Sequence, residues 1–203
     1  MSGIHTPMRL ALAALALLLL TLPGCGGAKN PGQKPASTTT AAATTTASPP
    51  PAAPGKFAVT SPAFADNTPI PTEYTCKGRN VPPPLRWQNI PSGTQSLALM
   101  VDDPDAPRGL YVHWVVIGIP PATNELGEGP LPQGATVSQN TAGKAEYFGP
   151  CPPAGTGVHH YRFQLYALRE PLNLAPTTPP RQAAQTIANA ATARAVTTGL
   201  FSG

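Results

Sequence analysis

The sequence has few charged residues, few aromatic residues and no motif of the common catalytic or nucleotide-binding classes. Charged side chains make up 11% and aromatic side chains 6% of the 203 residues. Neither the Gly-x-Ser-x-Gly elbow of hydrolases nor the Gly-x-x-x-x-Gly-Lys-Ser/Thr phosphate-binding loop occurs, and there is no internal repeat or heptad pattern. These absences argue against a serine hydrolase with that elbow, a P-loop nucleotidase and a coiled coil. We therefore expect a protein that is not an enzyme and that uses no cofactor.

A basic surface is also absent from the part of the chain that can fold. The net charge is +4, but from Phe57 onward nine Lys and Arg residues balance nine carboxylates. The excess comes from Arg9, Lys29, Lys34 and Lys56, which all precede that point. A neutral domain lacks the positive field that nucleic-acid binding requires, so we expect no nucleic-acid partner.

The longest hydrophobic run lies near the N-terminus and is too short to span a membrane. It extends from Leu10 to Leu20, directly after Arg9, whereas a spanning helix needs about 20 apolar residues. This arrangement predicts a secretion signal over residues 1–24. The following Leu22-Pro23-Gly24-Cys25 resembles the lipobox of bacterial lipoproteins, whose cysteine carries acyl chains such as palmitate; a plain cleaved signal is the alternative. We expect a lipid anchor at Cys25 on the extracytoplasmic side of a bacterial cell membrane.

Residues 25–55 contain almost no large apolar side chain. They consist mainly of Thr, Ala, Pro, Ser and Gly, with two runs of three threonines. Such a composition cannot bury enough surface to fold, which predicts a disordered stalk that holds a domain away from the lipid. The folded domain is then predicted to span residues 56–203.

Cysteine is scarce, with three residues in the whole chain. If Cys25 carries the anchor, Cys76 and Cys151 remain as a pair in an oxidising compartment. We expect a disulfide between them, and two unpaired thiols are the alternative. Structural zinc sites use closely spaced ligand pairs, which these two cysteines do not provide. No metal is expected, and a site built from His113, His159 and Asp103 is the minor alternative.

Apolar runs bounded by Pro, Gly and Asp predict a mainly β fold, an antiparallel β-sandwich with a C-terminal helix. The Tyr161–Leu168 strand alternates, which should place Tyr161 and Phe163 on one face and Arg162 and Gln164 on the other. The other predicted elements are central strands Ser96–Val101 and Val112–Ile119, outer strands Phe57–Thr60 and Leu85–Trp87, a helix from Arg181 to about Arg194 after Pro179-Pro180, and a short strand within Ala195–Phe201.

Two loop segments rich in Pro and Gly carry most of the chemically usable side chains. Asp103 and Asp105 precede His113, and the Gly149–Gly157 segment precedes His159. Each histidine stands where a loop enters an apolar strand, and two protonated imidazoles facing one cavity would attract an anion. A single such histidine is equally compatible with a hydrogen-bonded core residue. Asp103 is expected to orient a histidine ring, whereas Asp105 is expected to cap its own turn.

Three motifs resemble the phosphatidylethanolamine-binding protein family, in its bacterial and archaeal Raf-kinase-inhibitor-like branch. They are Asp-Pro-Asp-Ala-Pro followed by His-Trp, Gly-Pro-Cys-Pro-Pro-x-Gly-Thr-Gly-x-His-x-Tyr, and Tyr-Thr-Cys-x-Gly, and the resemblance extends from Phe57 to the C-terminus. It implies a β-sandwich with a small pocket for phosphate-like anions and phospholipid head groups, without a generally established catalytic activity. Carried over to this chain, the pocket residues are Asp103, Pro107, His113, Gly149, Pro152, His159 and Tyr161.

The resemblance has one departure near the pocket, because His160 stands where the family commonly has arginine. On a strand, position 160 should point away from His159. The hypothesis we favour is a lipid-anchored protein that binds a small anionic ligand, either a phosphate-like group or a phospholipid head group. Since some family members inhibit kinases or proteases, the alternative is an inhibitor of a secreted protease or another protein partner.

Overall fold

The computed structural model describes residues 55–203 of the chain. The predicted signal peptide, the predicted lipidation site Cys25 and the predicted stalk up to residue 54 lie outside these residues. In the described part of the chain, no helix combines the length and apolar character needed to cross a membrane.

Residues 55–203 form two β-sheets and one α-helix, as the mainly β prediction requires. The smaller sheet has the strand order β1-β3-β6, and the larger sheet has the order β2-β9-β8-β4-β5-β7. The strands are β1 (Ala58–Thr60), β2 (Thr68–Pro69), β3 (Leu85–Gln88), β4 (Ser96–Asp103), β5 (Tyr111–Ile119), β6 (Glu125–Leu126), β7 (Thr136–Ser138), β8 (Val158–Leu168) and β9 (Ala191–Ser202), and the helix is α1 (Pro180–Ala190).

The sheets are not purely antiparallel, since β2 pairs with β9 in parallel. The reason lies in the outer edge of β9, whose unpaired backbone groups need partners. Asp66 accepts the backbone N–H of Thr198 at 2.8 Å, and Ile70 N–H donates to Leu200 O at 2.8 Å. The loop that contains β2 therefore covers this edge of the larger sheet.

The predicted alternation of the Tyr161 strand is confirmed and divides the interior into two cores. Tyr161, Phe163, Leu165 and Ala167 face a core between the two sheets. Tyr166 and Leu168 belong to a second core on the opposite face of the larger sheet. The apolar side of α1 covers this second core with three residues, Ala183, Ala184 and Ile187.

The helix begins as predicted but ends at Ala190, so the expected continuation to Arg194 is wrong. Residues 191–194 are the start of β9, where Ala193 pairs with Ala167 and Arg194 pairs with Tyr166. Alanine favours helix only weakly, by a few tenths of a kcal/mol per residue over most other types. Pairing with the eleven residues of β8 satisfies the backbone groups of this segment that face β8, and that tertiary pairing overrides the local preference.

The larger sheet brings the two predicted loop segments together at one end of its central strands. Strand β4 ends at Asp103, β5 begins at Tyr111, and β8 begins at Val158. Because β4 pairs with both β5 and β8 in antiparallel fashion, the end of β4 and the starts of its two neighbours lie side by side.

Candidate functional site

A cavity of about 810 Å³ opens where β4 ends and β5 and β8 begin. Six of the seven pocket residues implied by the family resemblance line it: Asp103, Pro107, His113, Pro152, His159 and Tyr161. Three central strands and the loops between them thus supply the walls, which places the polar side chains on rigid elements.

Gly149, the seventh residue, does not line the cavity and instead supports it from behind. Its N–H donates to Asn80 Oδ1 at 2.8 Å. A Cβ at this position would lie 2.5 Å from the backbone oxygen of Tyr74, so glycine is required for the close approach of the two loops.

The predicted disulfide between Cys76 and Cys151 is present and holds the same two loops together. Cys151 lines the cavity, and Cys76 N–H donates to Pro150 O at 3.1 Å. The segment that carries Pro152 and leads into His159 is therefore tied covalently to a loop 75 residues away in sequence.

Asp103 orients a histidine ring, as predicted. Its Oδ2 accepts the Nδ1–H of His159 at 2.7 Å, and both side chains are buried. Its Oδ1 accepts the N–H of Asp105 at 2.8 Å, so Asp103 also closes the turn at the end of β4. The prediction that Asp105 caps its own turn is wrong, because Asp103 does so.

Asp105 instead contacts the histidine next to the site. Its Oδ2 accepts hydrogen bonds from the backbone N–H and the Nδ1 of His160, both at 2.8 Å. His160 is exposed whereas His159 is buried, so the two neighbours point to opposite sides of β8 as predicted.

Thr156 completes a hydrogen-bonded chain that the sequence reasoning missed. Its hydroxyl lies 2.7 Å from Pro153 O and 2.9 Å from His159 Nε2. A hydroxyl has one proton and a carbonyl can only accept, so all contacts are satisfied when Thr156 donates to Pro153 and His159 donates to Thr156. His159 then carries protons on both ring nitrogens and forms an ion pair with Asp103. The signal in the sequence was the hydroxyl three residues before the histidine.

His113 has a different environment, and the expected positive charge on it is not present near neutral pH. Its Nδ1 lies 2.6 Å from Phe148 O. The aromatic rings of Tyr111 and Phe148 lie 4.7 and 6.0 Å from its own. Burial lowers the pKa of His113 to about 4, although the Phe148 carbonyl and Asp103 act in the opposite direction. The ring is therefore neutral, and its free Nε2 is a hydrogen-bond acceptor.

Tyr161 is fully buried in the cavity wall, and its hydroxyl has no hydrogen-bond partner among residues 55–203. The backbone of Cys151 is near but makes no hydrogen bond of normal geometry with it. The ring lies 5.2 Å from that of His113 and 6.4 Å from that of His159. Burial raises the pKa of Tyr161 far above its usual value of 10.0, so the hydroxyl keeps its proton.

Two arginines at the rim were also missed. Arg108 follows the Asp-Pro-Asp-Ala-Pro turn, and Arg181 lies in the first turn of α1. Arg181 Nη2 donates to Arg108 O at 3.2 Å, and both side chains are exposed. Arg181 is 73 residues from Arg108 in sequence, so no local pattern could have assigned it to the site.

The described residues contain no cluster of three or more His, Cys, Asp or Glu side chains arranged to hold a metal ion. Among the polar side chains that line the cavity, Asp103 and His159 pair with each other, His113 bonds to Phe148 O, and the Tyr161 hydroxyl has no hydrogen-bond partner within residues 55–203. The arrangement offers a hydroxyl donor, a neutral imidazole acceptor and two guanidinium groups to a ligand.

Comparison with known proteins gives consistent results. The profile of the family described as phosphatidylethanolamine-binding protein matches residues 60–202. A Mycobacterium tuberculosis protein named "Putative lipoprotein LppC" is 48% identical over 194 residues, which cover 96% of each chain.

Two solved structures share the fold. YbcL of E. coli, a member of the mammalian PEBP family, is 30% identical with a TM-score of 0.70, over 73% of this chain and 99% of its own. CT736 of Chlamydia trachomatis is 33% identical with a TM-score of 0.66, over 72% and 97% of the two chains. The family profile and these relatives show that the chain belongs to the phosphatidylethanolamine-binding protein family.

Proposed function

We propose that the cavity binds a small anionic ligand, either a phosphate-like group or a phospholipid head group. The observation that carries this proposal is the hydroxyl of Tyr161, which is buried in the cavity wall without a hydrogen-bond partner among residues 55–203. An unsatisfied buried hydroxyl costs about 1–3 kcal/mol of stability, a cost that an accepting ligand oxygen would remove.

The charges around the cavity support the binding of an anionic ligand. The carboxylate of Asp103 is neutralised by the His159 ring, so it does not repel a negative ligand strongly. The guanidinium groups of Arg108 and Arg181 lie at the rim and match the geometry of phosphate and carboxylate oxygens.

Replacing Tyr161 with phenylalanine tests the proposal, because it removes only the hydroxyl. The full chain in detergent micelles would be titrated with O-phosphorylethanolamine by calorimetry. We expect at least about tenfold weaker binding, since a hydrogen bond to a charged group contributes about 1.5–3 kcal/mol. Without ligand, the stability of the variant should be equal or higher, because the unsatisfied hydroxyl is gone.

The matched control is His160→Ala, which removes an exposed imidazole on the adjacent position of the same strand. It should leave binding within about twofold of the wild type, as exposed pairs contribute little. Equal binding by wild type and Tyr161→Phe would contradict the proposal, and so would an absence of binding by the wild type.

We propose further that the site does not catalyse a reaction. Thr156, His159 and Asp103 are spaced like a nucleophile, a base and an orienting carboxylate. However, the Thr156 hydroxyl donates to Pro153 O and has no proton to give to the histidine. Slow turnover of p-nitrophenyl acetate that disappears in Thr156→Val would contradict this view.

We propose that the domain is attached to the extracytoplasmic side of a bacterial cell membrane through acylated Cys25. The lipobox-like sequence and the name of the mycobacterial relative support this location. A Cys25→Ser variant should move from the membrane fraction to the soluble fraction, and unchanged membrane association would argue against the anchor. Inhibition of a protease or another protein partner stays a prediction.

A further inference from the structure

We infer that the cavity selects a ligand that brings its own proton, namely a phosphate monoester in its singly protonated monoanionic form, over a phosphodiester or a sulfate ester. This inference rests on the proposed function and deepens it, because it names the class of anion. The relevant groups are the acceptor nitrogen of His113 and the donor hydroxyl of Tyr161.

The hydrogen bond of His113 to Phe148 determines what the ring can offer. Nδ1 lies 2.6 Å from a backbone carbonyl oxygen, which has no proton, so Nδ1 carries the hydrogen. In the neutral ring Nε2 is then an acceptor. No contact of Nε2 within residues 55–203 meets hydrogen-bond geometry, and the ring lines the cavity. The Gly149 backbone is near the ring and, like the Phe148 carbonyl, raises the pKa of His113, but burial outweighs both.

The groups packed around His113 keep it neutral. Tyr111 from its own strand, Phe148 from the following loop and Tyr161 from β8 surround it with aromatic rings, and the residue is 3% exposed. Its low pKa agrees with this environment.

The charged groups near His113 do not offset that burial. Asp103, the nearest carboxylate, already accepts from His159 and from the backbone of Asp105. Protonated His159 and the rim residues Arg108 and Arg181 are positive and oppose a further charge.

Tyr161 supplies the complementary donor next to this acceptor. Its ring lies 5.2 Å from that of His113 and meets it edge to face. A ligand that satisfies both groups needs one O–H for His113 Nε2 and one anionic oxygen for Tyr161. The monoanion of a phosphate monoester has both, and it makes up about half of the ester at pH 6 because the second pKa is about 6.

A phosphodiester or a sulfate ester presents only acceptor oxygens at this pH. Its oxygen lone pairs would face the lone pair of His113 Nε2, unless the ring first takes up a proton. Because the pKa of His113 is about 4, protonating its ring at pH 6.5 would weaken the binding of such a ligand by up to a few hundredfold. Such ligands should therefore bind weakly and take up one proton each.

Three probes that share an aminoethyl group test this inference: O-phosphorylethanolamine, glycerophosphorylethanolamine and 2-aminoethyl hydrogen sulfate. The full chain in detergent micelles would be titrated by calorimetry at pH 5.5, 6.5 and 7.5, in buffers of different ionisation enthalpy. At pH 6.5 we expect the monoester to bind at least about tenfold more tightly than the other two. The diester and the sulfate should take up about one proton at all three pH values. The monoester should take up about a quarter of a proton at pH 5.5, about three quarters at pH 6.5 and nearly one at pH 7.5, so the contrast is largest at pH 5.5.

A His113→Gln variant replaces a hydrogen-bond acceptor with a possible donor, because the glutamine amide can donate where His113 Nε2 accepts. The preference for the monoester should fall to within about threefold, whereas His160→Ala should keep it. If His113→Gln does not fold, the proton uptake of the wild type decides. Equal affinities with no proton uptake would overturn the inference and leave the proposed function intact. No binding of any probe would overturn the proposed function.

Discussion

Asp102 and Asp103 are adjacent at the end of β4, yet they belong to two different polar clusters on opposite faces of the sheet. Asp102 accepts two hydrogen bonds from Arg162, Nε at 2.7 Å and Nη2 at 2.9 Å, and one from Gln164 at 2.8 Å. Asp103 accepts from His159 and lines the cavity. Both carboxylates are buried.

The two clusters differ in whether their hydrogen bonds are complete. On the Asp102 side, Tyr166 OH and Arg194 Nη1 both donate to Gln164 Oε1, at 3.0 and 3.2 Å. On the Asp103 side, the hydroxyl of Tyr161 has no partner and His113 Nε2 makes no hydrogen bond within residues 55–203. A complete cluster stabilises the fold, whereas the open groups of an incomplete one are available to a ligand. This difference supports a structural role for the Asp102 cluster and the proposed ligand binding for the Asp103 cluster.

Removing the disulfide should have the largest effect and should act on the cavity side. Closing a loop of 75 residues stabilises a protein by about 4 kcal/mol in the chain-entropy model. A Cys76→Ser/Cys151→Ser variant should therefore melt on the order of 10 °C lower in a calorimetric scan. Hydrogen exchange should increase in the Gly149–Gly157 segment and stay slow around Asp102. A loss of stability below about 1 kcal/mol, or faster hydrogen exchange on both faces of the sheet, would contradict the view that the disulfide stabilises the cavity side.

The two clusters should respond to acid with opposite signs. From pH 6.5 to 4, the unfolded chain protonates His113 while the folded chain does not. This difference should lower the free energy of unfolding by up to about 3 kcal/mol. Burial raises the pKa of Asp102 above 3.8 despite its bonds to Arg162 and Gln164, so acidification toward 3.8 protonates the folded state first and adds stability.

Urea denaturation between pH 4 and 7 separates these contributions. His113→Gln should lose stability less steeply on acidification than the wild type, and Asp102→Asn should lose it more steeply. Parallel curves for the wild type and His113→Gln would show that His113 is not neutral in the folded protein.

Arg162→Met should have a smaller effect on stability and none on the cavity. It leaves Asp102 buried without its cation, a change that costs about 3–5 kcal/mol for a fully buried pair. The Arg162 side chain is 37% exposed and water screens part of the charge, so we expect about 2 kcal/mol in urea denaturation. Adding Asp102→Asn should recover part of the loss. Binding of O-phosphorylethanolamine should stay within about twofold, and a tenfold loss would contradict the separation of the two clusters.

Much of the site could be predicted because its residues belong to short motifs. The alternation in β8 separates His159 from His160, and the scarcity of cysteine leaves one pairing for Cys76 and Cys151. Arg181 could not be predicted, since it reaches the cavity only because α1 packs on the larger sheet. The end of the helix at Ala190 was missed for a similar reason, because pairing with β8 decides it.

The sequence by itself determined the mainly β architecture, the disulfide partners and most of the residues around the cavity. The architecture and the disulfide follow from local patterns, namely strand alternation and residue type, and the residues around the cavity follow from the resemblance of their motifs to a known family. The tertiary structure alone decided the charge of His113 and the open hydroxyl of Tyr161. Protonation and hydrogen-bond satisfaction depend on burial and on neighbours distant in sequence, and no pattern within one segment contains that information.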